Sequence, residues 1–147
     1  MKHFISIIAS AFLFLASHSA FAADHVVKMM NAGTDGVMVF EPGVLKAAVG
    51  DTVTFQATDV GHNTASKLVP DGAVTWQGSF NEEVKITLDK EGIYIYQCDP
   101  HMVMAMVGVI QVGAPTNLDA AKEYASGASG QFVMNNERLN DYIGSLE

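Results

Sequence analysis

The sequence predicts an all-β domain of the sandwich or barrel class, closed by a short helical tail. Between Val26 and Val112, short apolar runs alternate with polar residues and are separated by Gly, Pro, Asn and Asp turn signals. After Gly113–Ala114–Pro115 the apolar residues recur at helical spacing instead. The chain has 147 residues, 49% hydrophobic and 16% charged, which suits one domain with a real core rather than a disordered chain.

The first element is for export. Met1–Lys2–His3 is a basic start, and Ala20–Phe21–Ala22 has the small-x-small pattern of a cleavage site. The apolar run from Phe4 to Ala16 is about 13 residues long, against roughly 20 for a bilayer-spanning helix. Residues 1–22 are therefore expected to be a signal peptide, leaving no membrane anchor after cleavage. The mature chain would have 147 − 22 = 125 residues and, without Lys2, a formal charge of 7 − 16 = −9.

The strands follow. Val26–Met30 and Val37–Phe40 read as the first two. Pro42–Gly43 turns the chain into Val44–Val49, and Gly50–Asp51 turns it again. Thr52–Val53–Thr54–Phe55–Gln56–Ala57 alternates polar and apolar, as a half-buried strand does. Asp59 to Gly78 is rich in Gly, Asn, Asp and Pro and reads as a long, loop-rich connection. Val84, Ile86 and Leu88 alternate with Lys85 and Thr87. Gly92 opens Ile93–Tyr94–Ile95–Tyr96–Gln97, and Val107–Val112 is the last strand. Thr116-x-x-Asp119 then reads as a helix start, with a hydroxyl cap and an acid in the first turn. Leu118, Ala121, Tyr124 and Ala125 continue that helix. Leu139, Ile143 and Leu146 mark a second amphipathic one. The expected divisions are residues 1–22, 23–113 and 114–147.

The charge of −8 argues against a duplex nucleic-acid binder, which needs a lysine and arginine footprint. A single cysteine, Cys98, rules out an intramolecular disulfide framework and zinc sites built on paired cysteines. Outside the cytoplasm thiols tend to pair. A lone Cys98 there must be buried, joined to another chain or held by a metal.

The neighbours of Cys98 favour the metal. Cys98–Asp99–Pro100–His101–Met102–Val103–Met104–Ala105–Met106 places a thiolate, an imidazole and thioethers on one loop between two strands. A second histidine stands upstream in Gly61–His62–Asn63. Two histidines and a cysteine in a trigonal plane, with a weak axial methionine, are what a mononuclear blue-copper site needs. Met102, Met104 and Met106 compete for the axial role. His25 lies near the mature N-terminus and is not needed, since the loop already supplies enough donors.

At these residues the chain resembles the cupredoxins and, within them, the pseudoazurins. The resemblance runs through Met38-Val-Phe-Glu-Pro42, Gly50-Asp-Thr-Val-Thr-Phe55, Gly61-His-Asn63, the Cys98–Met106 loop, Val107-Gly-Val-Ile-Gln-Val-Gly113 and the helical tail. It implies an eight-stranded Greek-key β-sandwich with two C-terminal α-helices. It also implies one type 1 copper per chain, cycling between Cu(I) and Cu(II), with His62, Cys98, His101 and Met106 as ligands. The backbone N–H of Asn63 is expected to reach the Cys98 sulfur. Pro100, without an N–H, cannot add a second such bond.

The expected function is a soluble, monomeric, periplasmic one-electron carrier and not an enzyme. Four protein ligands leave no open metal position, and no nucleophile–base pair stands elsewhere. A copper storage or delivery protein is the other class considered, because Met102 and Met104 could serve exchangeable sites. The expected partners are periplasmic redox proteins: a nitrite reductase, a cytochrome c or another donor or acceptor. Pseudoazurins usually ring the copper end with lysines, but the matching positions here are Ala32, Val60 and Gln97, with Lys67 nearby. Docking is therefore expected to rest on apolar groups, Met38, Met102 and Met104 above all, with Pro100 and the edge of His101.

Overall fold

The computed structural model describes residues 22–146. The expected signal peptide lies outside the described residues, apart from Ala22. Among the described residues there are eight strands: β1 (Asp24–Gly33), β2 (Gly36–Glu41), β3 (Val44–Ala47), β4 (Thr52–Ala57), β5 (Ala65–Leu68), β6 (Val84–Thr87), β7 (Gly92–Gln97) and β8 (Val107–Val112). Two helices follow, α1 (Leu118–Ser129) and α2 (Arg138–Gly144). The strands form two four-stranded sheets, ordered β2-β1-β4-β6 and β3-β8-β7-β5. β1 runs parallel to β4, and β3 parallel to β8; the remaining pairs are antiparallel. The chain crosses repeatedly between the sheets, so residues distant in sequence meet at the strand ends.

Period-2 patterning sets what fills the sandwich. Val27 and Met29 of β1, Phe40 of β2, and Val53 and Phe55 of β4 point inward, against Tyr94, Tyr96, Ile110 and Val112 from the other sheet. The rings of Phe40, Phe55, Trp76 and Tyr96 pack on one another, with Phe40 and Tyr96 edge to face at 4.8 Å between centroids. The outer face of β7 and β8 is also buried. Ile93, Ile95, Val107 and Val109 lie beneath Ala121, Ala125, Phe132, Leu139 and Ile143 of the tail. This explains why β7 is an unbroken apolar run: it is covered on both faces. The small alanines of α1 let that helix sit close to the sheet.

Two sequence expectations need correction. β5 forms inside the stretch read as a loop-rich connection. It is a four-residue edge strand, and its pairing with β7 is irregular between Ser66 and Leu68, so it carries no clean alternation. The expected hydroxyl cap of α1 is also absent. Asn117 occupies the cap position without a side-chain cap bond. Thr116 Oγ1 instead donates to the carbonyl of Glu91. The Asn117 amide accepts from the Ile93 N–H at 2.7 Å and donates to the Ile93 carbonyl at 2.9 Å. These polar groups tie the start of the tail to the start of β7. The acid expected in the first turn, Asp119, is there.

Candidate metal centre

At one end of the sandwich, the loop after β4 meets the loop between β7 and β8. The second loop is closed at its mouth by the Cys98 N–H donating to the Met106 carbonyl at 3.0 Å. Inside it, the His101 carbonyl accepts from the N–H groups of Met104 at 3.0 Å and Met106 at 3.2 Å. A single 3-10 turn, Met102–Met104, ends at Ala105, whose φ of 56° is left-handed. The short loop is thus held largely by its own main chain. Across from it, the N–H of Asn81 donates to the His62 carbonyl at 2.8 Å, while Gly61 N–H donates to the Asn81 side chain. The backbone of His62 is bracketed on both sides.

Three donor atoms converge between the loops. His62 Nδ1 and His101 Nδ1 are 3.1 Å apart, and the Cys98 sulfur lies 3.7 Å from the first and 3.5 Å from the second. The circle through these three atoms has a radius of ~2.0 Å, the length of a metal–imidazole bond and slightly short of a metal–thiolate one. The triangle therefore fits a single small metal ion in its plane. The donors, two imidazoles and one thiolate, suit copper in both oxidation states. Among the described residues this trio is the group of His, Cys and acidic side chains that could hold a metal. His62, Cys98 and Met106 are fully buried, and His101 is partly exposed.

Side chains around the trio prepare it for a metal. His62 Nε2 lies 3.0 Å from Asn31 Oδ1. An amide oxygen can only accept, so Nε2 carries the proton and Nδ1 keeps its lone pair toward the sulfur. Burial, aided by His101, lowers the pKa of His62 and keeps the ring neutral; Asp59 opposes this. Burial raises the pKa of the Cys98 thiol, while the backbone N–H groups of Asn63 and His101 lower it. The expected amide is that of Asn63; the His101 N–H, one residue beyond Pro100, also donates to the Cys98 carbonyl at 3.3 Å. Metal binding must displace the Cys98 proton, and these two amides favour the thiolate that results.

Asn63 also joins the loops. Its Oδ1 accepts from the Asp99 N–H at 2.8 Å, and its Nδ2 donates to Asp99 Oδ2 at 2.9 Å. Burial opposes ionisation of Asp99, but bonds from Asn63, Lys67, Gln77 and Gln97 outweigh it and hold the carboxyl well below its usual range. Asn31, Asn81 and Gln77 were not legible as site residues from the sequence. Each stands far from His62 and Cys98 in the chain, and a lone Asn or Gln carries no spacing signature.

The remaining sequence candidates fall as follows. Met38, Met102 and Met104 are half-buried, and Pro100 is exposed. Met38 packs on the sandwich core, and Met102 on the cluster beneath the tail. Val103 is 44% exposed and Val133 81%. They sit together, since Val133 N–H donates to the Val103 carbonyl. His25 is six residues before Asn31 on the same strand, about 20 Å away by strand rise, and it binds Asp51 at 2.9 Å.

Comparison with known proteins agrees with this geometry. Residues 27–113 match the family described as copper binding proteins of the plastocyanin/azurin family. A Rhizobium leguminosarum bv. viciae protein bearing the pseudoazurin name is 50% identical over 119 residues, covering 79% of this chain and 78% of its own length. The pseudoazurin of Paracoccus pantotrophus is 43% identical over 123 residues, covering 82% and 84%. The crystal structure of native pseudoazurin from Hyphomicrobium denitrificans is similar with a TM-score of 0.75 at 40% identity, covering 84% of this chain and 98% of that one.

Proposed function

Because the chain belongs to the plastocyanin/azurin family of copper binding proteins, and within it to the pseudoazurins, we propose that it is a periplasmic shuttle of single electrons, with copper held by His62, Cys98, His101 and Met106. It is a copper electron carrier and not an enzyme. The observation that carries the ligand set is the triangle of His62, Cys98 and His101 donors, whose common centre is ~2.0 Å from each atom. Met106 is the fourth donor in this reading. It is fully buried, packs in the same core cluster as Cys98, and has its carbonyl bonded to the Cys98 N–H.

Copper supplies the Cu(II)/Cu(I) couple. The protein supplies a frame that changes little between the two states. Asn31 holds His62 in one tautomer. The amides of Asn63 and His101 accept part of the thiolate charge. The hydrogen bonds within the Cys98–Met106 loop keep the donors at fixed separations. Small reorganisation on gain or loss of an electron follows from that rigidity. His101, the least buried of the donors, is where an electron enters and leaves.

The acceptor proposed is a reductase such as nitrite reductase, met by a monomer through Met38, Met102, Met104 and the edge of His101. Small, weak interfaces suit such encounters. The test of the centre is direct. The copper-loaded protein should be blue, and Cys98→Ser should lose the colour while remaining folded; a blue serine variant would overturn the assignment. Met106→Ala should retain copper with an altered spectrum and potential. Reduction of purified nitrite reductase by the reduced protein, followed by stopped flow, tests the partner.

A further inference from the structure

Arg138, the first residue of α2, is 7% exposed, and its guanidinium is spent on the main chain. Nη1 donates to the carbonyls of Met38 at 2.9 Å and Ala105 at 2.8 Å. Nη2 donates to those of Asp35 at 3.0 Å and Val37 at 3.2 Å. All four acceptors are neutral. Burying a cation is costly, so covering the sheet does not by itself call for an arginine here. What the guanidinium adds is a rigid fork that fixes several acceptors at once.

The acceptors themselves say what is being fixed. Met38 and Ala105 are non-glycine residues with φ of 49° and 56°. L-residues disfavour that region and remain there where their surroundings hold them. Ala105 is bonded to Met106, and its carbonyl also accepts the Val107 N–H at 3.0 Å. Met38 lies in β2, while Ala105 lies in the Cys98–Met106 loop just before β8. A single side chain from the tail therefore joins β2 to that loop at the metal end, beside Met106, the fourth ligand proposed.

We propose that Arg138 is a positioning residue for the metal centre, its fork holding the Ala105 and Met38 carbonyls so that the Met106 segment keeps its place relative to Cys98. This rests on the ligand set proposed above. The tail is then part of the copper site's frame, and not only a cover for the outer sheet face.

The test compares Arg138→Met, Arg138→Lys and Tyr142→Phe in the full copper-loaded protein, with Met106→Ala alongside. Tyr142 sits one turn further along α2 and donates to Asp35 Oδ2 at 2.7 Å. Its loss weakens the docking of α2 without touching Ala105 or Met38. Arg138→Met should shift the reduction potential and the symmetry of the copper EPR signal. In the reduced, diamagnetic protein it should speed amide hydrogen exchange at Ala105 and Met106 about tenfold. Arg138→Lys keeps the charge but not the fork, and should move the same quantities in the same direction by less. If the methionine variant fails to fold, the lysine variant decides the matter. Tyr142→Phe should lower stability and leave potential and EPR at wild-type values. Wild-type potential and EPR in the Arg138 variants, with Met106→Ala shifted, would overturn the proposal alone. Silence in Met106→Ala as well would overturn the axial assignment and this proposal with it.

Discussion

Asn31 Oδ1 accepts a hydrogen bond from His62 Nε2 at 3.0 Å, and that contact decides which ring nitrogen faces Cys98. Asn31 is itself anchored, because its N–H donates to Asp59 Oδ2 at 2.6 Å. Without the amide oxygen, His62 can place its proton on Nδ1, the nitrogen needed for the metal, or rotate. Partners of this kind are worth about 10–100-fold in metal affinity. Asn31→Ala is therefore expected to weaken copper binding by about that factor while the β-sandwich remains. Competition against a chelator of known affinity measures it, and an unchanged constant would refute the role.

His62, Cys98 and His101 were legible in the sequence because their chemistry is rare and two of them share one short loop. Asn31, Asn81 and Arg138 were not. Each acts through a neighbour many residues away, and an asparagine or a single arginine carries no spacing signature. The strands were legible wherever one face meets water and the other the core. β5 was missed because an irregular four-residue edge strand has no alternation to read. The helix start near Thr116 was found with the wrong cap, since Asn117 spends its amide on Ile93 rather than on its own helix. Local pattern locates an element, but side-chain partners follow from how the sheets cross.

A second expectation concerns Gly108. It pairs with Tyr96 across β7 and β8, and the tyrosine ring lies over it. A Cβ at Gly108 would strike the ring's Cε2 at 2.6 Å. Tyr96 is fully buried among Phe40, Phe55 and Trp76 and has little room to retreat. Gly108→Ala should cost about 1–3 kcal/mol, the usual range for overpacking a core. Urea unfolding of the metal-free variant gives the value, and a loss below a few tenths would show that the ring can move.

The acid dependence of folding should trace in part to Asp51. Bonds from the Ala48 N–H, His25 and the Ala23 N–H pull its carboxyl pKa down to about 2. The folded value is below the unfolded one. Its stabilising effect is therefore complete above the unfolded value, about 3.9, and is lost as pH falls toward 2. Asp51→Asn should be less stable than wild type at neutral pH, with the gap narrowing below pH about 4 and closing near 2. Denaturant midpoints of the metal-free proteins across that window check this. A gap that stays constant to pH 2 would assign the effect to packing.

The last expectation concerns how the carrier meets an acidic reductase. Long-range steering needs unpaired positive charge at the metal end. Ala32 and Val60 are exposed there and carry none. Lys67 is nearby, but its Nζ lies 2.9 Å from Asp99 Oδ1. Its charge is largely answered by a carboxylate already held ionised by three other side chains. Asp99 cannot readily be neutralised to release it, because that would leave bonds from Asn63, Gln77 and Gln97 on a weaker acceptor. With a formal charge of −8 on the whole chain, the approach to an acidic surface should be slow at low salt. It should also change little as salt rises, because screening, with a Debye length of about 10 Å at 0.1 M, has little attraction to remove. Ala32→Lys combined with Gln97→Lys should speed the reaction at low salt and make it fall steeply as salt is added. Stopped-flow rates of electron transfer to a copper nitrite reductase over a salt series, for wild type and the double variant, provide the comparison. A steep fall in the wild type would mean that Lys67 still steers despite Asp99, and that apolar contact does not dominate this docking face.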